Sequence, residues 1–143
     1  MALPTRLTLE IVTPDRALLR EEVDEVVVPG SEGEFGVLPG HTPLLSMLKI
    51  GELWYRQGQE KHFLAVAFGF VEVLPDRVTV LAQVGERAQE IDVQRAERAK
   101  QRAEQRLAQP LMTQVDLDIE RARVALLKSL LRLQVASRAR TRA

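Results

Sequence analysis

The sequence contains no cysteine and only two histidines, His41 and His62. Disulfides and thiolate chemistry are therefore excluded, and a structural zinc site, which relies on cysteine and histidine ligands, is not expected. The lack of cysteine also favours a reducing compartment. No apolar run approaches the roughly 20 residues that a membrane-spanning helix needs. Residues 1–6 contain no apolar stretch of signal-peptide length, so the sequence predicts a soluble, unsecreted chain.

The net charge is zero, but the charges are divided unevenly along the chain. Residues 1–85 carry 12 acidic and 7 basic side chains, whereas residues 86–143 carry 8 acidic and 13 basic ones. The two parts therefore have net charges of −5 and +5, and the spacing of apolar residues changes at the same place. This asymmetry predicts a domain of residues 1–85 and an appendage of residues 86–143 with different partners or solvation.

The first part has the two-residue period of half-buried β-strands. Leu7, Leu9 and Ile11 alternate with polar residues. Further short apolar segments follow, separated by turn residues such as Pro75 and Asp76. Many short strands with closely spaced turn signals predict an all-β sandwich or a small barrel.

The second part has a helical period. Between residues 92 and 107 there is no Gly or Pro, and alanine or leucine recurs at steps of three and four residues, at Ala96, Ala99, Ala103 and Leu107. This pattern predicts one helix, which Pro110 ends. A second helix is predicted to begin between residues 113 and 116. Its apolar face would consist of Ile119, Ala122, Leu126, Leu130 and Leu133, widened by Leu127 and Leu131.

These two helices predict an antiparallel hairpin in which the alanines of the first helix face the leucines of the second. Residues 137–143 are polar and arginine-rich and are expected to fray. Asp92 stands where the first helix is predicted to begin, so its carboxylate is expected to cap free backbone N–H groups of the first turn. Arg95, one turn along, could simply be solvated.

The most distinctive segment is residues 33–41, a predicted loop that places three glycines, a proline and a histidine around a short apolar segment. Pro39 fixes φ near −65° and Gly40 accepts φ > 0, so this pair predicts a turn. The apolar side chains of the segment are expected to fold back against a core: Phe35, Val37 and Leu38. A purely structural turn in an all-β domain is the other interpretation of these residues.

Five segments together resemble the epsilon subunit of bacterial F-type ATP synthase. They are residues 9–15, 30–43, 68–73, 78–82 and 91–96, which occur in the same order over nearly the whole chain. The resemblance implies an N-terminal β-sandwich followed by a C-terminal helical hairpin. It also implies a central-stalk rotor subunit that couples the gamma subunit to the ring of c subunits. Such a subunit is peripheral to the cytoplasmic face of the bacterial cell membrane and meets the membrane only through the complex.

The resemblance assigns roles to two groups of residues. The end of the sandwich that carries residues 33–41 would face the c ring, which makes Glu34, Phe35 and His41 interface candidates. Some bacterial members of the family bind regulatory ATP, and the residues that match that site are Glu86, Asp92, Arg95, the backbone of Ala96, Lys128 and Arg132. Lys128 departs from the family pattern because it offers a point charge in place of the guanidinium fork of an arginine.

A third implied role is inhibition of ATP hydrolysis. In the family the hairpin can extend along the gamma subunit and bring basic side chains near an acidic segment of the catalytic beta subunits, beside the alpha subunits. The candidates are Arg98, Lys100, Arg102, Arg106, Arg121 and Arg123. A solvated helix face is the other interpretation of the same charges.

The sequence offers little for independent catalysis. It has no Gly-rich loop that ends in Gly, Lys and Ser or Thr, no paired nucleophile and base, and no metal-ligand cluster. We therefore expect a non-catalytic subunit that requires no cofactor, with ATP as a possible sensor ligand. The alternative is a basic helical hairpin that binds protein or nucleic acid. Interleaved acidic residues and the absence of aromatics in the second part argue against nucleic acid.

Overall fold

The computed structural model describes residues 2–110 and 116–140. The chain divides into two compact units, Met1–Arg87 and Ala88–Ala143. Unit 1 is built from strands and unit 2 from helices, so the predicted order of an all-β domain followed by a pair of helices is confirmed. The predicted boundary at residue 85 falls within the last strand of unit 1, which ends at Arg87.

Unit 1 contains eight strands: β1 (Leu7–Val12), β2 (Ala17–Val23), β3 (Glu25–Gly30), β4 (Gly33–Val37), β5 (Leu44–Leu48), β6 (Gly51–Gln57), β7 (Glu60–Leu74) and β8 (Arg77–Arg87). Their hydrogen-bonded order is β2-β1-β8-β7-β5-β3-β4, and β6 pairs with both β3 and β7. β1 and β8 run parallel, whereas β7 pairs antiparallel with β5, β6 and β8. Because β5 and β6 each join β7 to β3, the sheet folds back on itself to form a sandwich.

The core of unit 1 is formed by the inward-facing residues of these strands. Leu7, Leu9 and Ile11 of β1 are fully buried, as the two-residue period predicts. Burial of each such aliphatic side chain contributes roughly 1.5–3 kcal/mol to folding. Most of the rest of the core is also aliphatic, although it contains Tyr55, and includes Val26, Val28, Leu53, Leu64, Val66, Val71, Val73, Val78 and Val80.

Strand β7 pairs with two different strands along its length. Residues 60–66 pair with β6, and residues 69–73 pair with β5. Between these segments the chain takes positive φ values, 58° at Phe68 and 126° at Gly69. A Cβ atom on Gly69 would overlap the carbonyl oxygen of Leu81 on β8, so only glycine fits here. The sequence predicts one strand at residues 63–67 and another that includes Val71 and Val73, whereas the structure has one strand with an irregularity at Phe68 and Gly69.

Unit 2 begins with a short 3-10 helix (Ala88–Glu90), followed by α1 (Val93–Leu107) and α2 (Asp116–Arg140). The 3-10 helix and α1 both contact α2. The C-terminal half of α1 and the N-terminal half of α2 line one groove, so the helices are antiparallel, as predicted. The predicted start of the second helix includes residues 113–115, which lie outside the described residues.

Small side chains dominate the buried face of each helix. Ala96 and Ala103 are buried on α1, seven residues apart. Ala122, Ser129 and Ala136 are buried on α2 at the same spacing. Residues at this spacing lie on one face of a helix, and short side chains there permit close approach between helices. The buried Ser129 hydroxyl donates a 2.7 Å hydrogen bond to a carbonyl one turn earlier in α2, so it carries no unsatisfied donor.

This arrangement corrects two predictions for the second helix. Leu127 and Leu130 were placed on the apolar face, but they are 52% and 43% exposed, because the buried line runs through Ala122 and Ser129 instead. Fraying from residue 137 was also expected, yet α2 continues to Arg140. The neighbouring Val135 and Ala136 are buried and hold this part of the helix in place. Residues 141–143 lie outside the described part of the chain.

Candidate functional site

One end of the sandwich carries the distinctive segment of residues 33–41. Residues 33–37 form β4, which pairs with β3 and places Gly33 opposite Gly30. The prediction of a loop over the whole segment was therefore wrong for its first half. β4 stands at the end of the strand order, and its first residue, Gly33, has a φ of 133°, which favours glycine.

The second half of the segment is the predicted turn. The His41 N–H donates to the Leu38 carbonyl at 3.2 Å, and Gly40 at φ 86° occupies the position that requires positive φ in a type II turn. Pro39 precedes it at the position that favours proline. The Gly40 N–H donates to the Pro75 carbonyl at 2.7 Å, which ties this turn to the one between β7 and β8.

The candidate interface residues differ in their exposure to solvent. Glu34 is exposed, and Phe35 is half-buried against the core. His41 is also half-buried, and its Nδ1 lies 2.7 Å from the Thr42 carbonyl, so Nδ1 carries a proton and donates. Of the side chains expected to fold inward, Val37 is fully buried but Leu38 is 53% exposed. Successive side chains of an extended chain point to opposite faces, so Leu38 points away from the core.

The sequence patterns did not predict an apolar row that lies on the outer face of the sandwich. Met47, Phe70 and Leu81 lie directly opposite one another on β5, β7 and β8. They are 57%, 50% and 52% exposed. Leu45, two residues before Met47, extends the row. The sequence does contain an indication of this row. These residues are apolar at positions that point outward, in strands whose inward-pointing residues are also apolar.

The start of α1 is capped by Asp92. Its side chain accepts a 3.0 Å hydrogen bond from the Arg95 N–H, and its carbonyl accepts one of 3.0 Å from the Ala96 N–H. The predicted capping role is therefore confirmed, and the Ala96 N–H is used by the helix itself. The Arg95 side chain is exposed, whereas Ala96 is buried.

The remaining residues of the candidate nucleotide site lie on other elements. Lys128 and Arg132 are half-buried on α2, one helical turn apart, and both interact with other residues of the chain. Glu86 belongs to unit 1, where it lies opposite Ala65 in the β7–β8 pairing. Asp92, Arg95 and Ala96 thus share one helical turn, and the two basic residues share another.

The six candidates for an inhibitory basic face differ in what surrounds them. Lys100 pairs with Glu104 at 3.8 Å, and Arg123 pairs with Glu120 at 3.2 Å. Such exposed pairs contribute little to stability. Arg98 is exposed on α1. The other three line the groove between the helices: Arg102, Arg106 and Arg121.

Within residues 2–110 and 116–140, no group of three or more His, Asp and Glu side chains is placed to hold a metal ion. Among the helices so described, none is long and apolar enough to cross a membrane.

Comparison with known families identifies both units. Residues 6–88 match the model for the beta-sandwich domain of the ATP synthase delta/epsilon chain, and residues 89–137 match the model for its long alpha-helix domain. The ATP synthase epsilon chain of Syntrophobacter fumaroxidans is 53% identical over 133 residues, which cover 93% of this chain and 97% of that one. The epsilon chain of Nitratidesulfovibrio vulgaris (strain DP4) is 52% identical over the same shares.

A chain in a structure of the Euglena gracilis mitochondrial ATP synthase, comprising OSCP, F1 and the c-ring, has the same fold. Its TM-score is 0.77 at 24% identity, and the match covers 89% of this chain and 79% of that one. The strand order, the helix pair that follows it and the relatives at about half identity all agree, and the chain belongs to the epsilon-chain family of ATP synthase.

Proposed function

We propose that this chain is a non-catalytic subunit of the central stalk, which binds the gamma subunit through unit 1 and couples it to the c ring. The structural observation that carries the proposal is the exposed apolar row of Met47, Phe70 and Leu81. A contiguous apolar surface on a folded domain is typical of a protein interface. Membership in the epsilon-chain family supports a partner within the ATP synthase complex.

The end of unit 1 that carries the Leu38–His41 turn is proposed to face the c ring at the cytoplasmic side of the bacterial membrane. Glu34 and Leu38 are exposed there, and His41 presents part of its ring. The turn is held by its own hydrogen bond and by the one from Gly40 to Pro75, so it is a defined surface for polar loops of a partner. Phe35 contributes through packing, since its ring lies against the core.

Unit 2 is proposed to regulate the complex. Its net positive charge suits an acidic segment of the catalytic beta subunits when the helices extend, and ATP is proposed to favour the folded pair by binding near Asp92, Arg95 and Arg132. Arg98 and the three groove arginines are exposed positive charges that are available for such a contact. The two helices hold each other through small side chains, and such a contact buries less apolar area than one made by large side chains.

The gamma contact is tested with Phe70→Asp and, as a matched control, Leu127→Asp. Both residues are large, apolar and about half exposed, at 50% and 52%, but Phe70 belongs to unit 1 and Leu127 to α2. Mixed with a gamma subunit and run on size exclusion at micromolar concentration, the wild-type chain and Leu127→Asp should co-elute with gamma. Phe70→Asp should elute alone while melting as the wild type does.

Independent elution of the wild-type chain, or retained binding by Phe70→Asp, would overturn the gamma assignment. The regulatory role is tested separately by deleting residues 88–143. The deletion should raise ATP hydrolysis by the assembled complex and leave gamma binding intact, because unit 1 has its own core. Unchanged hydrolysis would refute inhibition by unit 2 and leave the coupling role standing.

A further inference from the structure

A groove of about 480 Å³ lies between α1 and α2, beside the C-terminal turns of α1. Short side chains create it: Ala103 and Ala122 are buried where the helices approach each other, and both line the groove. Three arginines line it as well, Arg102 and Arg106 from α1 and Arg121 from α2. A volume of this size lies within the range of small-molecule sites.

The three arginines are exposed, and no hydrogen bond or ion pair joins any of their guanidinium groups to another residue in the described part of the chain. The neighbouring basic residues behave differently, since Lys100 and Arg123 each pair with a glutamate on their own helix. Arg102 and Arg106 stand one helical turn apart, where like charges repel. The described residues that line the groove therefore include three positive charges and no carboxylate.

We propose that this groove is an anion site that takes a small multivalent phosphate, such as pyrophosphate or triphosphate. Guanidinium groups offer planar forks of N–H donors that match phosphate oxygens, and two helices supply them from opposite sides. Along α1 the groove extends only from Ala99 to Gln109, two residues past the end of the helix, and this short length suits a compact anion better than a bound peptide helix. Arg95, Lys128 and Arg132 do not line it, so the site is separate from the proposed nucleotide site.

A phosphate in this groove would neutralise charge on both helices and cross-link them. An anion that binds the paired helices and not separated ones stabilises the pair by RT ln(1 + [L]/Kd), where [L] is the free anion concentration. The same chemistry could come from a free polyphosphate or from the phosphate chain of a nucleotide. Competition between the two at this groove distinguishes these sources.

The test is calorimetric titration of the full chain with pyrophosphate at low ionic strength, comparing wild type with Arg106→Gln, Arg121→Gln and the double variant. Arg98→Gln is the matched control, because Arg98 is exposed on α1 but does not line the groove. Each groove substitution should weaken binding by about tenfold, as expected for the loss of a charge-assisted hydrogen bond, and the double variant by more. Binding by the control should be unchanged.

Three results would overturn the proposal: no pyrophosphate binding by the wild type, equal weakening by Arg98→Gln, or equal weakening by Arg95→Gln. The last would place the anion at the start of α1.

Circular dichroism checks that the variants stay helical. If Arg106→Gln unfolds, Arg106→Lys replaces it, since lysine keeps the charge and the helix but loses the fork, and it must still weaken binding several-fold. ATP that displaces pyrophosphate identifies the nucleotide phosphate chain as a ligand, and ATP that does not identifies a free polyphosphate.

Discussion

The carboxylate of Asp92 accepts a hydrogen bond of 3.0 Å from the backbone N–H of Arg95, which fixes where α1 begins. Asp92→Ala should therefore destabilise unit 2 by about 1 kcal/mol, because one donor of the first turn loses its partner. Asp92→Asn should cost much less, since asparagine caps nearly as well. Thermal melting followed by helical circular dichroism measures both.

The pair of variants also separates capping from ligand binding. If Asp92 acts only as a helix cap, Asp92→Asn should melt nearly as the wild type does and should bind ATP equally well. Equal destabilisation by alanine and asparagine would contradict the capping role and show that the charge of Asp92 is what stabilises the region.

Gly69 should be among the least replaceable residues of unit 1. Its φ of 126° is rare for residues with a side chain, and a Cβ atom would overlap the Leu81 carbonyl oxygen. Gly69→Ala should cost at least about 2 kcal/mol of unfolding free energy, because neither strand can move without breaking the β7–β8 pairing. Denaturant unfolding followed by Trp54 fluorescence measures the loss.

Gly36→Ala is the matched control for that substitution. An added Cβ at Gly36 would find its nearest atom, Cγ2 of Val27, at 3.8 Å, which is ordinary contact. Its effect should stay within about 1 kcal/mol. Similar losses from the two substitutions would mean that the approach of β8 to Gly69 does not constrain the fold.

Much of this fold follows from sequence. The inward residues of β1 and the start of α1 are predicted by local rules, the two-residue period at Leu7, Leu9 and Ile11 and the capping residue Asp92. Local rules fail where tertiary contacts decide. Gly69 looks like a strand breaker, yet the pairing of one long strand with both β5 and β6 makes it part of β7. Leu130 looks like a core residue, yet the close contact through Ala122 and Ser129 leaves it outside.

The candidate sites were predictable to different degrees. The Pro39–Gly40 turn follows from the conformational preferences of two residues, so its position was correct. The row of Met47, Phe70 and Leu81 depends on the register of three strands, which no local pattern fixes. The arginine-lined groove likewise depends on the register between two helices, which brings Arg121 to the same place as Arg102 and Arg106.

Tyr55 should make the stability of unit 1 depend on pH in the alkaline range. Burial raises the pKa of its hydroxyl to about 12, the negative charge of Glu21 adds to the rise, and Arg87 opposes it. An unfolded tyrosine loses its proton near its ordinary pKa of about 10. Between about pH 10 and pH 12 the folded state therefore keeps a proton that the unfolded state has lost, and the stability falls as the pH rises. The stabilisation is complete below about pH 10 and should be lost as pH rises toward about 12.

Tyr55 is the only tyrosine, so ultraviolet absorbance of tyrosinate reports this group alone. Tyr55→Phe should remove up to about 2 kcal/mol of the alkaline fall in unfolding free energy, while the common titration of lysines remains in both chains. Absorbance of the folded wild type that rises with a midpoint near pH 10 would contradict the buried, protonated hydroxyl.

Nucleotide binding should depend on Arg132 and improve with an arginine at position 128. Both residues lie on one stretch of α2, and a guanidinium fork holds phosphate oxygens in pairs where an ammonium group offers only a point charge. Arg132→Ala should therefore weaken ATP binding by about tenfold or more, and Lys128→Arg should strengthen it by several-fold. Arg123→Ala is the control, because Arg123 lies on the same helix but pairs with Glu120. Calorimetric titration of the full chain with millimolar ATP measures all four proteins. Absence of heat from the wild type, or an equal loss in Arg123→Ala and Arg132→Ala, would contradict the proposed nucleotide site. Asp92, another residue of that site, would then be a helix cap alone.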